Sequence, residues 1–288
     1  MPTRRHALSD RQWAAVADLF ERPRRPGGQW KDHRLMLDGV LWVLKTGAQW
    51  RDLPDRFGPW KTVYGRFARW RDDGTLDRVV ARLQRDLDRD GLIEWSAFCV
   101  DSTTVRASRV AAGARKRGAP PTGPARAGEP SDHALGRSRG GLTTKVHLVT
   151  DRRGLPLSAV VTPGQRCDST QFEAALDGVA VRQASGQMRR RPGRVLADRG
   201  YDADRIRGWL RQRGIGAVIP PKRNRVRRFR FDRAVYRERN VVERALGHLK
   251  EHRRIATRHE KLARSFLAML KLAFVVRYLR LLESRDRP

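Results

Sequence analysis

The hydrophobic positions of this chain change their period once, near residue 95. Before that point they recur at helical spacing. Trp13, Val16 and Phe20 share one face, and Ser9-x-x-Gln12 stands ahead of them as a capping box. After a Pro/Gly/Arg break at 22–28, Leu37, Val40, Leu41 and Leu44 form a second stripe that ends near Gly47. Val63, Phe67 and Trp70 follow the turn segment "DLPDRFGPW", and Leu76, Val79, Val80, Leu83 and Leu87 make a fourth stripe.

Beyond residue 95, short apolar runs predict strands at 97–101, 142–150, 157–162, 194–198 and 216–220. Helices are predicted at 169–182, 203–213 and 239–254, with a C-terminal helix at about 262–283. Asp168-x-x-Gln171 and Asp202 stand where helix caps belong, and Gly214 where a helix stops. Residues 106–140 are rich in Gly, Ala, Pro and Arg without periodicity, which predicts an exposed, flexible basic loop. The pattern divides the chain into an all-α region, 1–92, and an α/β domain, 93–288.

Composition adds a partner. Across 288 residues, 62 Lys and Arg face 31 Asp and Glu, a formal charge of +31 that solubility does not require and that implies a polyanion. Eight Trp and 39% hydrophobic content argue against disorder as the reason for the charge. Cys99 and Cys167 lack zinc-ligand spacing and suit a reducing cytoplasm. No signal-like stretch opens the chain. The most apolar segment, Phe266 to Val276, is interrupted by Lys271 and reads as a core helix, so no membrane association is expected.

Candidate chemistry lies in three places. Asp101 ends the run Ala97-Phe98-Cys99-Val100, and Asp198 ends the run Val195-Leu196-Ala197. Acids at the carboxyl ends of neighbouring strands face the crevice where open α/β sheets bind ligands. Third, Tyr236, Arg239, Glu243 and Lys250 stand at offsets 0, 3, 7 and 14. On a continuous helix these lie within about 60° of one another. A carboxylate flanked by a phenol, a guanidinium and an ammonium suits a metal-bound phosphodiester, whereas a solvated charged face is the plainer alternative. The strip "KRNRVRRFRFDR" at 222–233, with Arg225, Arg227 and Arg228, interleaves Arg with Phe as a DNA-contacting segment does. The basic helix at about 60–71, with Lys61 and Arg66, is either a groove-reading helix of a helix–turn–helix or the exterior of a packing domain. His248 and His252 are spaced i,i+4 but have no evident third zinc ligand.

These motifs carry a resemblance. "VDSTTVRA" around Asp101, "ADRGYD" around Asp198 and the Y-x₂-R-x₃-E-x₆-K signature at 236–250 resemble bacterial insertion-sequence transposases of the DDE type, in the group related to insertion sequence five. "GRSRGGLTTKVHLVTDRRGLPL" and the N-terminal "LSDRQWAAVADLF" also match that group. The resemblance implies a ribonuclease H-like domain with a mixed five-stranded sheet and flanking helices, preceded by a small helical DNA-binding domain. It implies that Asp101, Asp198 and Glu243 bind Mg²⁺, with Mn²⁺ able to substitute, in two-metal phosphoryl transfer. Arg239 and Lys250 would hold phosphates and Tyr236 the DNA. The expected partners are double-stranded transposon ends, target DNA and further copies of the chain, in a bacterial cytoplasm at the nucleoid. A nuclease of the same fold and a non-catalytic repressor are the rivals.

Overall fold

A computed structural model of the chain describes residues 6–20, 31–113, 133–226 and 229–285. The helical start follows its local signals. In α1 (Asp10–Ala14), Ser9 Oγ accepts from the Gln12 amide at 3.2 Å and Gln12 Oε1 accepts from the Ser9 amide at 3.1 Å. Both side chains also reach Glu283, so the cap ties the chain's beginning to its end. Helix α2 (His33–Thr46) stops at Gly47, whose φ of 73° is open to glycine at little cost. A Cβ there would also stand 2.9 Å from Arg253 Cβ. Helices α3 (Trp60–Asp72) and α4 (Thr75–Arg89) complete the region.

Strands β1 (Ala97–Ala107), β2 (Gly136–Ser138), β3 (Gly141–Asp151) and β4 (Pro156–Pro163) follow, then α5 (Phe172–Asp177). A small hairpin, β5 (Val181–Arg182) and β6 (Met188–Arg189), precedes β7 (Arg194–Leu196), α6 (Asp204–Gln212) and β8 (Gly216–Val218). The chain ends with α7 (Arg233–Arg237), α8 (Asn240–Lys250), α9 (Arg253–Ala256), β9 (Thr257–Arg258) and α10 (Ala263–Arg285).

In the main sheet β1 is central: antiparallel to β3, which is antiparallel to β4, and parallel to β7, which is parallel to β8. The five principal strands thus stand in the order β4-β3-β1-β7-β8, with β2 and β9 as short additions on β3 and β1. This mixed sheet with flanking helices is the ribonuclease H-like arrangement. β1 runs six residues past the expected end because Ser102-Thr103-Thr104-Val105 keeps pairing with β3. These residues include β-formers that an apolar count overlooks.

One core serves both halves of the chain. Buried side chains from Leu8 to Leu279 form a continuous cluster. Helix α10 lies against α2, α3, α4 and β4. Gln84 of α4 donates to Leu157 O at 2.8 Å and to Tyr278 Oη at 3.0 Å, clamping α4, β4 and α10 together. Residue 92 is therefore not a break in the packing.

Three expected elements differ. The helix at 169–182 is the short α5 behind a 3₁₀ turn. Asp168 does not cap it but accepts from Ser102 Oγ at 2.8 Å and pairs with Lys145 at 2.9 Å. Asp202 is buried rather than capping; Arg207 Nε (2.7 Å) and the Lys222 amide (2.8 Å) satisfy it, as a buried carboxylate requires. The helix at 239–254 is two, α8 and α9, divided at His252. Of the loop at 106–140, residues 106–107 belong to β1 and 136–138 to β2, while 114–132 lie outside the described residues. Its far end is held by the fully buried Arg258, which donates to His133 O at 2.7 Å, Ala134 O at 3.0 Å and Glu260 O at 2.9 Å.

Candidate active site

The parallel pairing of β1 and β7 sets the first two acids. Phe98 lies opposite Val195 and Cys99 opposite Leu196. Two residues further along the chain from that pair come Asp101, still within β1, and Asp198, just past the end of β7, so the same register brings the two acids close enough for their charges to interact. Neighbouring strands are only about 4.8 Å apart. Each carboxylate is steadied by a backbone amide: Ser102 N to Asp101 Oδ1 at 2.8 Å, and Gly200 N to Asp198 Oδ1 at 2.8 Å. Burial raises the Asp101 pKa; the Ser102 amide and Arg239 pull it down, and the charge on Asp198 pushes it up again.

Helix α8 packs on β1 and β3 and supplies the rest. Arg239 Nη1 donates to Asp101 Oδ2 at 2.8 Å, while Nη2 of the same guanidinium bonds Glu243 Oε1. One fork thus joins an acid of β1 to an acid of α8. Burial lowers the Arg239 pKa, but Asp101 and Glu243 together outweigh it and raise it. Lys250 Nζ, at the other end of α8, donates to Thr103 Oγ1 at 2.7 Å. Strand alternation puts Thr103 on the face of Asp101, so Arg239, Glu243 and Lys250 all address one side of β1.

The four-residue signature is not on one continuous helix. Tyr236 ends in α7, and 3₁₀-type bonds from the Glu238 and Arg239 amides to Val235 O and Tyr236 O make the turn into α8. Tyr236 still stands beside Arg239, whose guanidinium carbon is 5.9 Å from the ring centroid.

Other expected contacts divide by exposure. Lys61 is exposed, its ammonium 5.9 Å from the Trp60 ring centre. Arg66 is a correction: it is 8% exposed, with Nη1 2.9 Å from His33 Nδ1, so it belongs to the helical core and does not present a charge to DNA. Arg225 is a second correction. It pairs with Asp202 at 3.3 Å and with Asp204, and stacks 4.8 Å from the Phe229 centroid, so its charge is spent internally. Arg227 and Arg228 lie outside the described residues. His248 pairs with Glu251 at 3.0 Å, and no zinc cluster forms there among the described residues.

The contact of Lys250 with Thr103, which lies inside the "VDSTTVRA" motif, and the pairing of Asp168 with Ser102 were not read from the sequence. Asp168 holds Ser102 on the far side of β1 from Asp101, beside Lys145 and the buried His147, whose Nδ1 is 3.8 Å away. Only the alternation within "DSTT" hints at such two-sided use. Burial brings the His147 pKa down to about 4.

The acids suit a hard divalent cation in kind, being oxygen donors only, and the Asp101–Glu243 pair already draws a cation in Arg239. Among the described residues, no three His, Cys, Asp or Glu side chains close on one point. Arg239 stands between Asp101 and Glu243, where a shared ion would have to enter.

Sheet order defines a ribonuclease H-like fold class. Comparison with known proteins makes this specific: the "Transposase DDE domain" family matches residues 95–277, and the family described as "Putative transposase of IS4/5 family" matches 8–80. The chain belongs to the DDE transposases of this insertion-sequence group. It is 36% identical over 209 residues, 72% of this chain and 86% of the relative, to the "Putative transposase for insertion sequence element IS402" of Burkholderia cepacia. It is 35% identical over 141 residues, 48% of this chain and all (100%) of the relative, to the "Putative transposase for insertion sequence element IS6501" of Brucella ovis. The solved Mos1 mariner paired end complex with Mn aligns over 96% of this chain and 84% of its own at 12% identity. The TM-score of that alignment is 0.31.

Proposed function

We infer that this transposase binds the terminal inverted repeats of its own insertion sequence as double-stranded DNA, cuts there and joins the freed end to target DNA. The observation that carries the reading is that the β1–β7 register brings Asp101, within β1, beside Asp198, just past the end of β7, with Glu243 tied to Asp101 through Arg239. Asp101, Asp198 and Glu243 would hold Mg²⁺, or Mn²⁺ in its place, in a two-ion site. A bound divalent ion supplies Lewis-acid neutralisation of the phosphate's charge. The chain's own groups do the rest. Arg239 exchanges its carboxylate partners for phosphate oxygens, Lys250 presents its ammonium from the Thr103 side, and Tyr236 packs against the backbone. Water attacks in line, the P–O3′ bond breaks and a 3′-hydroxyl leaves; that hydroxyl then attacks a target phosphate, whose own P–O3′ bond breaks and releases the target strand's 3′-hydroxyl. No covalent enzyme intermediate is required.

The helices of residues 1–92, with Lys61 on their surface, are the DNA-binding region in this reading, and the active species is a homo-oligomer on DNA at the bacterial nucleoid. No helix among the described residues is long and apolar enough to cross a membrane. The test is paired. Asp198→Asn should abolish Mg²⁺-dependent nicking of terminal-repeat DNA while leaving binding nearly unchanged; equal nicking by both proteins would reject the site. Transfer of a pre-cut end into plasmid separates a transposase from a nuclease, and a repressor would do neither.

A further inference from the structure

Side chains alternate along a strand, so Asp101 and Thr103 share the face that Arg239 and Lys250 address, while Ser102 and Thr104 point the other way. The register with β3 sets Ser102 opposite His147 and Thr104 opposite Lys145, so these four share the second face. Onto it comes Asp168, the first residue of the 3₁₀ turn Asp168–Gln171. Ser102 Oγ donates to Asp168 Oδ1 at 2.8 Å, and Lys145 Nζ reaches the same oxygen at 2.9 Å. Lys145 also donates to Arg166 O at 2.8 Å, and Arg205 Nη2 donates to Ser169 O at 2.8 Å. The turn is therefore held on both sides of Asp168.

Two features tie this network to the acids. First, β1 is paired on one edge alone where it carries Asp101. Its pairing with β7 ends at Cys99 and its pairing with β9 begins at Arg106; between them, among the described residues, β3 alone supports it. The Ser102 amide goes instead to Asp101 Oδ1, at 2.8 Å. Arg239 holds the other oxygen and is the group that turns to phosphate in the reaction above, which leaves the Ser102 amide as the fixed hold on Asp101. Second, the turn at 168–171 packs on the turn Arg199–Tyr201, which directly follows Asp198. Phe172, next in the chain, lies 5.6 Å from the Tyr201 ring. Burial raises the Tyr201 pKa, and the charges of Asp168, Asp101 and Asp198 raise it further, so all three acids surround one phenol. The charge of Asp168 is already matched by Lys145, which suits a brace rather than a further ion ligand.

We propose that Asp168 is a positioning residue: through Ser102 it fixes the amide that aims Asp101 at a divalent ion, and Lys145 holds it in place. The proposal rests on the metal-binding reading of Asp101, Asp198 and Glu243, and deepens it by adding a support from outside the motifs. Partners that orient a metal's ligands typically contribute roughly 10–100-fold to its affinity.

The test measures Mn²⁺ affinity of the full chain by calorimetry without DNA, with Asp198→Asn as the reference for a lost ligand. Asp168→Ala also uncovers the Lys145 charge, so the decisive variant is Ser102→Ala, which changes no charge. It should weaken Mn²⁺ binding about tenfold with the thermal midpoint nearly unmoved, and Ser102→Thr, which keeps the hydroxyl, should restore the affinity. Placed in an Asp168→Ala background, Ser102→Ala should cost less than about twofold, because residues acting through one another are not additive. Nicking by Ser102→Ala should need about tenfold more Mn²⁺ yet regain most of its rate at saturation, the split expected when an ion ligand is misaimed rather than lost. Wild-type Mn²⁺ affinity in Ser102→Ala, or a loss of the same size with and without Asp168, overturns the proposal and leaves the three acids as the metal site. Wild type that binds Mn²⁺ no better than Asp198→Asn rejects the metal reading itself, and this proposal with it.

Discussion

Arg239 and Asp101 are joined at 2.8 Å across 138 residues of sequence, and the same guanidinium holds Glu243. The arginine therefore offsets one of the two negative charges in the absence of any other cation. Divalent ions and Arg239 compete for the same oxygens. Arg239→Ala should bind Mn²⁺ several-fold more tightly than wild type by calorimetry in the absence of DNA, even as nicking falls. Weaker Mn²⁺ binding by the variant would mean that Arg239 organises the acids rather than displacing the ion.

Lys250 is held against Thr103 with its ammonium on the Asp101 side of β1. Removing one well-placed donor at a charge-developing centre costs about 10²–10³ in rate. Lys250→Met should lower single-turnover nicking by about that factor while DNA affinity changes much less. Loss confined to affinity would move Lys250 from the chemistry to the binding surface.

The surface charges make a contrast. Every cation that stops neutralising a phosphate should reduce the log–log salt slope of DNA binding by about 0.9. Lys61→Gln should flatten the slope by roughly one unit. Arg225→Gln should leave it unchanged, because that side chain already serves Asp202 and Asp204. Equal effects of the two variants would contradict the exposure difference.

His147 makes stability depend on pH. It is 1% exposed, packed beside Asp168 and Lys145, and burial carries its pKa down to about 4 from the usual 6.5. The unfolded chain then binds more protons than the folded one between those values. Stability is complete above pH 6.5 and declines as pH falls towards 4, by on the order of 3 kcal/mol for this group. His252, also brought down to about 4 by burial, adds a slope of the same sign. Urea unfolding of His147→Gln across roughly pH 4–7 should show a shallower loss of stability towards acid than wild type; an unchanged slope would reject the assignment.

Arg258 is fully buried and donates to the backbone carbonyls of His133, Ala134 and Lys261, tying the start of the segment before β2 to the exit from β9. Arg258→Met leaves those acceptors without their donor. A loss of roughly 3 kcal/mol is expected, seen as a thermal midpoint lower by about 5–10 °C.

The acids and the strands that carry them are legible because each leaves a local trace, an apolar run ending in Asp, although only at Asp198 does the strand stop there. Arg66 and Arg225 mislead for the opposite reason. A charged side chain reads as exposed in sequence, and only packing reveals that His33 or Asp202 lies within reach. Asp168 likewise carries a capping pattern, yet finds Ser102 and Lys145 in three dimensions. A local motif cannot rank a nearby amide against a distant hydroxyl.

The order of amino acids determined by itself the change from helical to strand period, the capping box at Ser9, the stop at Gly47 and the acids at 101 and 198. Each depends on residues within a turn or two, where backbone geometry fixes the outcome. Tertiary structure decided the extent of β1, the single core shared by α10 and the N-terminal helices, and the arginine standing between Asp101 and Glu243. Those depend on burial and on charges far apart in the chain, whose interaction is set by distances that no local pattern encodes.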